Sequence, residues 1–66
     1  MNIILNGETR EIPEACTAAK LVELLELGDR RIAMEINMEI VPRSRYANQP
    51  LHEQDRVEIV HAIGGG

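Results

Sequence analysis

Residues 2–12 read NIILNGETREI, an apolar β-branched run and a polar run joined by Asn6-Gly7. Asn-Gly is the dipeptide best suited to the positive φ angles of a type I′ turn, so this stretch predicts a β-hairpin. Pro13 has no backbone donor, and it is expected to end the second strand. The two strands that Asn6-Gly7 joins should therefore pair with each other.

The pattern after the hairpin is helical. Thr17 is a suitable N-cap, and four apolar residues after it fall at i, i+3, i+4 and i+7, the spacing of a helix with one buried face. They are Ala18, Leu21, Val22 and Leu25. Gly28 can adopt the left-handed conformation that commonly follows a helix, so the helix is predicted to end there.

A second hairpin is indicated by alternation with a period of two. Residues 32–36 alternate Ile, Met and Ile with Ala and Glu, which is typical of a half-buried strand. Asn37-Met38 is the predicted turn into a short following strand. Pro42 is expected to end that strand because it cannot donate to the ladder.

The rest of the chain predicts an irregular arm and a last strand. Residues 43–55 mix Pro, Asn, Gln and Ser, and Tyr46 and Leu51 are expected to pin this arm to the core. Residues 56–62 then read as a strand that runs into the glycines. Strands interrupted by a single helix predict an α+β fold in which one sheet covers that helix.

Composition narrows the function classes. The chain has 66 residues, a net charge of −4, one Tyr and no Phe or Trp. It therefore offers neither the clustered basic charge nor the aromatic platforms that nucleic acids require. The single cysteine, Cys16, cannot form an internal disulfide, and no apolar stretch approaches the roughly 20 residues that span a bilayer. These observations predict a cytoplasmic protein that acts on neither membranes nor nucleic acids.

Side chains with reactive or metal-binding groups offer little chemistry of their own. Cys16 lies before the helix with no neighbouring His, and it is expected to be packed or idle. His52 and His61 have no Cys or His at ligand spacing, so no metal site is predicted. The arginines between residues 30 and 45 are expected to be solvated at the rim of the fold.

Taken in order, these features resemble the ThiS family of small sulfur carriers in thiamin biosynthesis. The resemblance rests on the Asn6-Gly7 hairpin, the leucine-rich helix, Asn37 followed by residues 40–43, the stretch over residues 55–60 and the terminal Gly65-Gly66. It covers essentially the whole chain. The fold it implies is the β-grasp, ubiquitin-like fold, with one mixed sheet of four to five strands wrapped over a single helix. The implied division is a domain over residues 1–63 and a flexible glycine tail over residues 64–66.

Three residues depart from the pattern that is common in this family. Gln54 stands where the family often has glycine before Asp55, which strains the turn only if a positive φ is needed there. Met38 occupies a turn position where glycine is frequent. Tyr46 stands where an aromatic residue, often Trp, is common. Each departure concerns local geometry rather than the chemistry at the C-terminus.

The resemblance also implies a function. The carboxylate of Gly66 is expected to be adenylated by an E1-like adenylyltransferase of the ThiF type and converted to a thiocarboxylate. The thiocarboxylate then donates sulfur to thiazole synthase of the ThiG type. ATP and magnesium belong to the activating enzyme, so the chain is expected to bind no cofactor or metal, to have no catalytic residue and to be no enzyme.

The terminal glycines suit this chemistry for a physical reason. Glycine has no Cβ and reaches φ values closed to other residues, so Gly64 and Gly65 can thread a tunnel too narrow for side chains. The carboxylate of Gly66 must be activated first, because a carboxylate is a poor electrophile. The chain has no Gly-rich phosphate loop followed by Lys-Ser or Lys-Thr, so it is not expected to bind ATP alone.

A docking surface for the enzyme is predicted on the outer face of the sheet. Alternation along two central strands turns Ile4 and Val60 away from the helix, and exposed aliphatic groups there are a candidate docking surface. The full set of predicted docking residues is Ile4, Val60, Ile63 and Arg43. Two alternative interpretations remain. The arm over residues 43–55 could fold over these aliphatic side chains, or isolated aliphatic side chains at the surface could have no function.

Three other functions remain open from the sequence. The small subunit of molybdopterin synthase also uses a diglycine thiocarboxylate, although it is usually longer and richer in Phe. A ubiquitin-like modifier would join Gly66 to a protein lysine through an amide. A plain interaction module would carry the glycines passively.

Overall fold

A mixed five-stranded sheet and one α-helix make up residues 1–61, the part of the chain that this computed structural model describes. The strands are β1 (Asn2–Leu5), β2 (Glu8–Glu11), β3 (Ile32–Ile36), β4 (Glu39–Val41) and β5 (Arg56–His61), and the helix is α1 (Ala18–Leu24). Their order across the sheet is β2-β1-β5-β3-β4. The last strand in sequence therefore lies at the centre of the sheet.

Both predicted hairpins are confirmed, and both use two-residue turns. Leu5 pairs with Glu8 across the first turn and Ile36 pairs with Glu39 across the second. The turn residues have the positive φ angles of a type I′ turn. These angles are 50° at Asn6, 85° at Gly7, 51° at Asn37 and 72° at Met38.

β5 joins the two hairpins into one sheet. It runs parallel to β1, where Leu5 lies opposite Val57, and antiparallel to β3, where Ile32 lies opposite His61. This parallel pair between the first and last strands makes the sheet mixed. A mixed sheet that packs on a single helix is the β-grasp arrangement, so the predicted α+β fold class is confirmed.

The core lies between the sheet and α1. Its largest fully buried side chains are Ile3, Leu21, Met34 and Val57, which come from β1, α1, β3 and β5. Burying a side chain of this size contributes about 1.5–3 kcal/mol. Within residues 1–61 no polar or charged residue is buried, so the interior is held by aliphatic packing.

α1 begins as predicted but ends earlier than predicted. Thr17 caps its start by accepting a hydrogen bond from the backbone N–H of Lys20 at 3.1 Å. At the other end Glu26 adopts a left-handed φ of 59°. The prediction that Gly28 ends the helix is therefore wrong, because Glu26 already occupies the left-handed position that glycine usually takes.

Two backbone hydrogen bonds define this helix end as a Schellman motif. The N–H of Glu26 donates to the carbonyl of Glu23, and the N–H of Leu27 donates to the carbonyl of Val22, both at 3.0 Å. Leu27 is half-buried and packs on the core. This apolar contact favours the motif even though its left-handed residue carries a side chain.

The arm contains a short 3₁₀-helix, Arg43–Asn48, where an irregular segment was predicted. Pro42 precedes it in extended conformation and accepts a hydrogen bond from the N–H of Arg45 at 2.9 Å. Such short helices lack the sequence periodicity that reveals α-helices. Tyr46 and Leu51 are both buried, so the prediction that they pin the arm to the core is confirmed.

Two of the residues that depart from the family pattern lie in the left-handed region. Gln54 has a φ of 69° and Met38 a φ of 72°. A residue with a Cβ in this region costs roughly 1–2 kcal/mol relative to the right-handed conformation. The positive φ that would make Gln54 unfavourable is therefore present, and the same holds at Met38.

Replacing Met38 by glycine is expected to stabilise the domain by about 0.5–1 kcal/mol. The substitution removes the strain of a Cβ at positive φ. The greater conformational entropy of glycine in the unfolded chain offsets part of this gain. The side chain of Met38 is 86% exposed, so little packing is lost. Urea unfolding would measure the change. Met38→Ala is the matched control because it removes the same side chain but keeps the Cβ, and equal stability of the two variants would contradict the strain argument.

Candidate functional site

The predicted attachment residue lies beyond the described part of the chain. Gly66, together with the threading residues Gly64 and Gly65 and the docking residue Ile63, falls outside residues 1–61. The site is therefore built from the strand that precedes them. That strand is β5, and its last described residue is the exposed His61.

The end of β5 has different support on its two sides. On one side it pairs with β3 as far as His61, which lies opposite Ile32. On the other side the main-chain ladder with β1 stops where the N–H of Asn6 donates to the carbonyl of Val57 at 2.9 Å. Beyond that point β1 turns away into the first hairpin, because Asn6 is the first turn residue.

The side chain of Asn6 continues this interrupted ladder. Its Oδ1 accepts a hydrogen bond from the backbone N–H of Ile59 at 2.8 Å, and its Nδ2 donates to the carbonyl of Ile59 at 3.2 Å. One amide group therefore satisfies both backbone groups of Ile59, as a neighbouring strand would. β5 is in this way held on both sides up to Ile59.

Asn37 does the same at the start of β5. Its backbone N–H donates to the carbonyl of Arg56 at 2.7 Å, and its Oδ1 accepts from the N–H of Arg56 at 3.0 Å. Its Nδ2 also donates to the carboxylate of Asp55 at 3.0 Å. The first residue of each hairpin turn thus binds the backbone of the same central strand.

Sequence reasoning identified both asparagines as turn residues and missed this second role. Asn6 and Ile59 are 53 residues apart, and Asn37 and Arg56 are 19 apart. No local pattern connects residues at such separations. The available signal was indirect: both predicted hairpins begin their turn with Asn rather than with Gly or Asp.

Of the predicted docking residues on the outer sheet face, Val60 is exposed and Ile4 is half-buried. Val60 is 59% exposed and lies opposite Ala33 of β3, near the end of β5. Ile4 lies opposite Arg56, at the start of β5. Along β5 the two positions are four residues apart, about 13 Å at 3.3 Å per residue. The two aliphatic groups therefore do not form one continuous patch.

The arm does not cover Val60. Leu51 donates its N–H to the carbonyl of Cys16, and the carbonyl of Gln49 accepts from Ala18, both at 2.9 Å. These bonds tie the arm to the segment at the start of α1, on the helix side of the sheet. The alternative in which the arm folds over the outer aliphatic side chains is thus wrong for Val60.

The outer face around Val60 is acidic. Glu58 lies directly opposite Glu35 in the β5–β3 pair, and both side chains are exposed. Two like charges in this position repel each other. Together with the net charge of −4, this pair favours a basic partner surface, and the exposed Arg56, two residues before Glu58, is a positive charge on the same face of β5.

Arg43 has a structural role that the sequence did not indicate. Its guanidinium donates to the carbonyl of Gly28 at 2.8 Å and to the carbonyl of Arg30 at 3.0 Å. It also lies 5.9 Å from the ring centroid of Tyr46, within range of a cation–π interaction. The expectation of simple solvation is wrong for Arg43, which connects the arm to the loop after α1. Its docking role stays a prediction.

Cys16 is packed, as predicted. Its side chain is buried, and its thiol lies 3.5 Å from the carbonyl of Thr17. Burial raises the pKa of the Cys16 thiol, and the charge of Lys20 opposes this shift only in part. A thiol held neutral is a poor nucleophile, so the geometry does not favour Cys16 as a sulfur-bearing group.

The histidines form no metal site within the described residues. The His52 side chain is exposed, and its Nδ1 lies 3.7 Å from a carboxylate oxygen of Asp55. Residues 1–61 contain no group of three or more His, Cys, Asp or Glu side chains that could hold a metal ion. Over the same residues, no helix is long and apolar enough to cross a membrane.

A family model, sequence relatives and a solved structure all point to the same family. The sequence model of the ThiS family matches residues 3–66. The sulfur carrier protein ThiS of Bacillus subtilis is 36% identical over 94% of this chain and 96% of its own length. The crystal structure of the thiamine biosynthesis protein ThiS from Geobacter metallireducens superposes with a TM-score of 0.87 at 25% identity and covers all of both chains.

One relative is much longer than this chain. A thiazole synthase of Paramagnetospirillum magneticum is 41% identical over all 66 residues, which correspond to 20% of its own length. The chain therefore spans about a fifth of that relative. A stretch similar to this whole chain is thus present in a protein named for thiazole synthesis.

Proposed function

This chain belongs to the ThiS family, and from that membership we propose that it carries sulfur for the synthesis of the thiazole ring of thiamin. The observation that carries the proposal is the extent of the family match, which runs through residue 66 and so includes the three glycines. Gly66 is the proposed attachment residue, and Gly64 and Gly65 are proposed to thread the active site of the activating enzyme.

The proposed chemistry takes place at the carbonyl carbon of Gly66. A carboxylate oxygen attacks the α-phosphorus of ATP and releases pyrophosphate, which leaves a mixed anhydride with AMP. A sulfur nucleophile then attacks the carbonyl carbon and AMP departs. Hydrosulfide as the nucleophile gives the thiocarboxylate directly. A partner's persulfide gives an acyl disulfide, whose S–S bond a thiol must then cleave.

The activating machinery is proposed to lie in the partner enzymes. An E1-like adenylyltransferase of the ThiF type supplies the sites for ATP and magnesium, and a thiazole synthase of the ThiG type receives the sulfur. The long thiazole synthase relative supports the second partner, because it combines a stretch similar to this chain with a much larger remainder. The proposed location is the cytoplasm, a reducing compartment in which thiols such as Cys16 persist.

The proposed docking residues are Ile4, Val60, Ile63 and Arg43. Val60 has the strongest support among them, since it is exposed and lies on the strand that leads to the glycines. The acidic pair Glu35 and Glu58 beside it favours an enzyme surface with basic residues. Contact at this face would help to offset the backbone entropy lost when the glycines become ordered, about 1–2 kcal/mol per residue.

Intact-mass spectrometry tests the proposed function. The chain is incubated with the E1-like enzyme, ATP, magnesium and a sulfide source, and the expected product has one terminal oxygen replaced by sulfur. A chain with one residue appended after Gly66 is the matched control and should gain no sulfur. Absence of the product, with an enzyme that activates another member of the family, would overturn the proposal.

A second step separates the proposal from its alternatives. The purified thiocarboxylate is given to thiazole synthase with its other substrates, and return of the carrier to its original mass is expected. Loss of sulfur only in the presence of the large subunit of molybdopterin synthase and its substrate would indicate the molybdenum pathway. Amide-linked conjugates with protein lysines in cells, without free thiocarboxylate, would indicate a modifier.

A further inference from the structure

We propose that Asn6 is a positioning residue for the activation of Gly66, acting through the backbone of β5. This inference rests on the proposed function, since it concerns how the strand presents the glycines to the activating enzyme. Its basis is the pair of hydrogen bonds between the Asn6 amide and the backbone of Ile59. Nothing in the turn itself requires these bonds.

The bonds lie where β5 has lost its main-chain neighbour. β1 pairs with β5 only as far as Leu5 opposite Val57, and the chain then turns away through Gly7. β3 supports the other side of β5 up to His61. Among residues 1–61, loss of the Asn6 amide would leave the strand around Ile59 with hydrogen-bonded support on the β3 side only, and this part of β5 could move away from the position that the sheet defines.

The chemical requirement at residue 6 is specific. The side chain must accept from the N–H of Ile59 and donate to its carbonyl, and the backbone must adopt a φ of 50°. Asparagine meets all three conditions. Glycine satisfies only the backbone angle, and the carboxylate of aspartate accepts but places its charge against the Ile59 carbonyl.

The position of Ile59 matters because the reacting carbon lies seven residues further along the chain. β5 is described as far as His61, two residues after Ile59, so the Asn6 bonds support the last described part of the strand that precedes the glycines. Misplacement of a reacting group by about 1 Å can reduce a rate up to 10²-fold. A strand end that moves lowers the fraction of encounters in which Gly66 reaches the adenylation site.

Asn37 provides an internal control for this idea. It has the same residue type, the same place in a two-residue turn and the same kind of bond to the backbone of β5. It binds at Arg56, however, the first residue of the strand, and Arg56 is ten positions before Gly66. Loss of the Asn6 amide removes two bonds to the backbone of Ile59. Loss of the Asn37 amide removes one bond to the backbone of Arg56 and one to the carboxylate of Asp55. Only Asn6 supports the last described residues of the strand that leads to the glycines.

The test compares Asn6→Gly with Asn37→Gly in the full chain. Both variants keep a residue that accepts positive φ, and both should lose similar amounts of stability in urea unfolding. In steady-state adenylation by the E1-like enzyme, Asn6→Gly is expected to lose about tenfold in kcat/KM, whereas Asn37→Gly remains within twofold of the unmodified chain. Equal losses in both variants would overturn the inference and leave Asn6 a purely structural residue.

Hydrogen exchange gives a readout that does not depend on activity. In Asn6→Gly the amide of Ile59 should exchange several-fold faster, while the amide of Val60, which points toward β3 by strand alternation, should keep its protection. Faster exchange at both amides would indicate general loosening and contradict the local role. If Asn6→Gly does not fold, Asn6→Asp serves in its place, with a smaller loss of kcat/KM expected because one bond is retained.

The outcomes separate this inference from the proposed function. If the unmodified chain is not adenylated by a competent enzyme, the proposed function fails first. If the unmodified chain is adenylated and Asn6→Gly matches Asn37→Gly in kcat/KM, only the positioning role of Asn6 is overturned.

Discussion

A chain whose Gly66 carboxylate is converted to a carboxamide is expected to show no adenylation at all. The amide nitrogen replaces the oxygen that attacks ATP, and an amide lacks the negative charge that makes a carboxylate a nucleophile. Cys16 offers no substitute nucleophile, since its side chain is buried and burial raises the pKa of its thiol. Release of pyrophosphate and intact mass would measure the loss.

The carboxamide chain is assembled by chemical ligation of a synthetic C-terminal peptide. The matched control is assembled in the same way but has a free carboxylate at Gly66. It should be activated like the unmodified chain, and urea unfolding should be the same for both. Formation of an AMP adduct on the carboxamide chain, or rescue of thiamin-dependent growth by it, would contradict the assignment of Gly66 as the attachment residue.

Val60→Glu is expected to raise the KM for adenylation roughly 30-fold, the effect of losing about 2 kcal/mol at a central interface residue. Val60 is 59% exposed, so the change should cost little folding free energy. The substitution removes the exposed apolar group that Val60 offers to the enzyme. A carboxylate that must leave water to meet the enzyme carries a large desolvation penalty.

Leu24→Glu is the charge-matched control for this prediction. Leu24 is 43% exposed and lies on α1, on the helix side of the sheet. Leu24→Glu therefore has the same net charge as Val60→Glu, and it likewise replaces a partly exposed apolar side chain. We expect its KM to stay within threefold of the unmodified chain. A similar rise in both variants would indicate a general charge effect, and an unchanged KM in Val60→Glu would remove Val60 from the docking residues.

The hairpins and the sheet were predictable because their signals are local. Asn6-Gly7 joins an apolar run to a polar run, and Asn37-Met38 follows a run with a period of two. A two-residue turn fixes the register of both partners. The buried stripe of α1 was equally visible, since its apolar residues recur with the period of a helix. Alternation along β5 likewise showed that Val60 faces outward.

Other features were missed because tertiary contacts decide them. The end of α1 depends on the packing of Leu27 on the core, which allows Glu26 to adopt a conformation that propensity assigns to Gly28. The guanidinium of Arg43 binds carbonyls 13 and 15 residues away. In each case the sequence shows the residue type, but the partner becomes known only once the chain is folded.

The candidate site also combines residues that the sequence indicates with residues whose role only the fold shows. Composition and resemblance pointed to the glycines, and the family match includes them. The arrangement that presents them depends on Asn6 and Ile59, which are 53 residues apart. Sequence reasoning therefore found the residues that carry the chemistry more readily than the residues that position the strand before them.

The central place of β5 also has a consequence for biosynthesis. Because translation proceeds from the N-terminus, both hairpins and α1 leave the ribosome before the strand that must lie between β1 and β3. Until then the two hairpins expose unpaired inner edges and cannot close a common core. We therefore expect nascent chains and premature termination products that lack residues 56–61 to stay unfolded and to be degraded by proteases. Only chains whose translation has passed residue 61, a few codons before the glycines, would then fold and escape degradation.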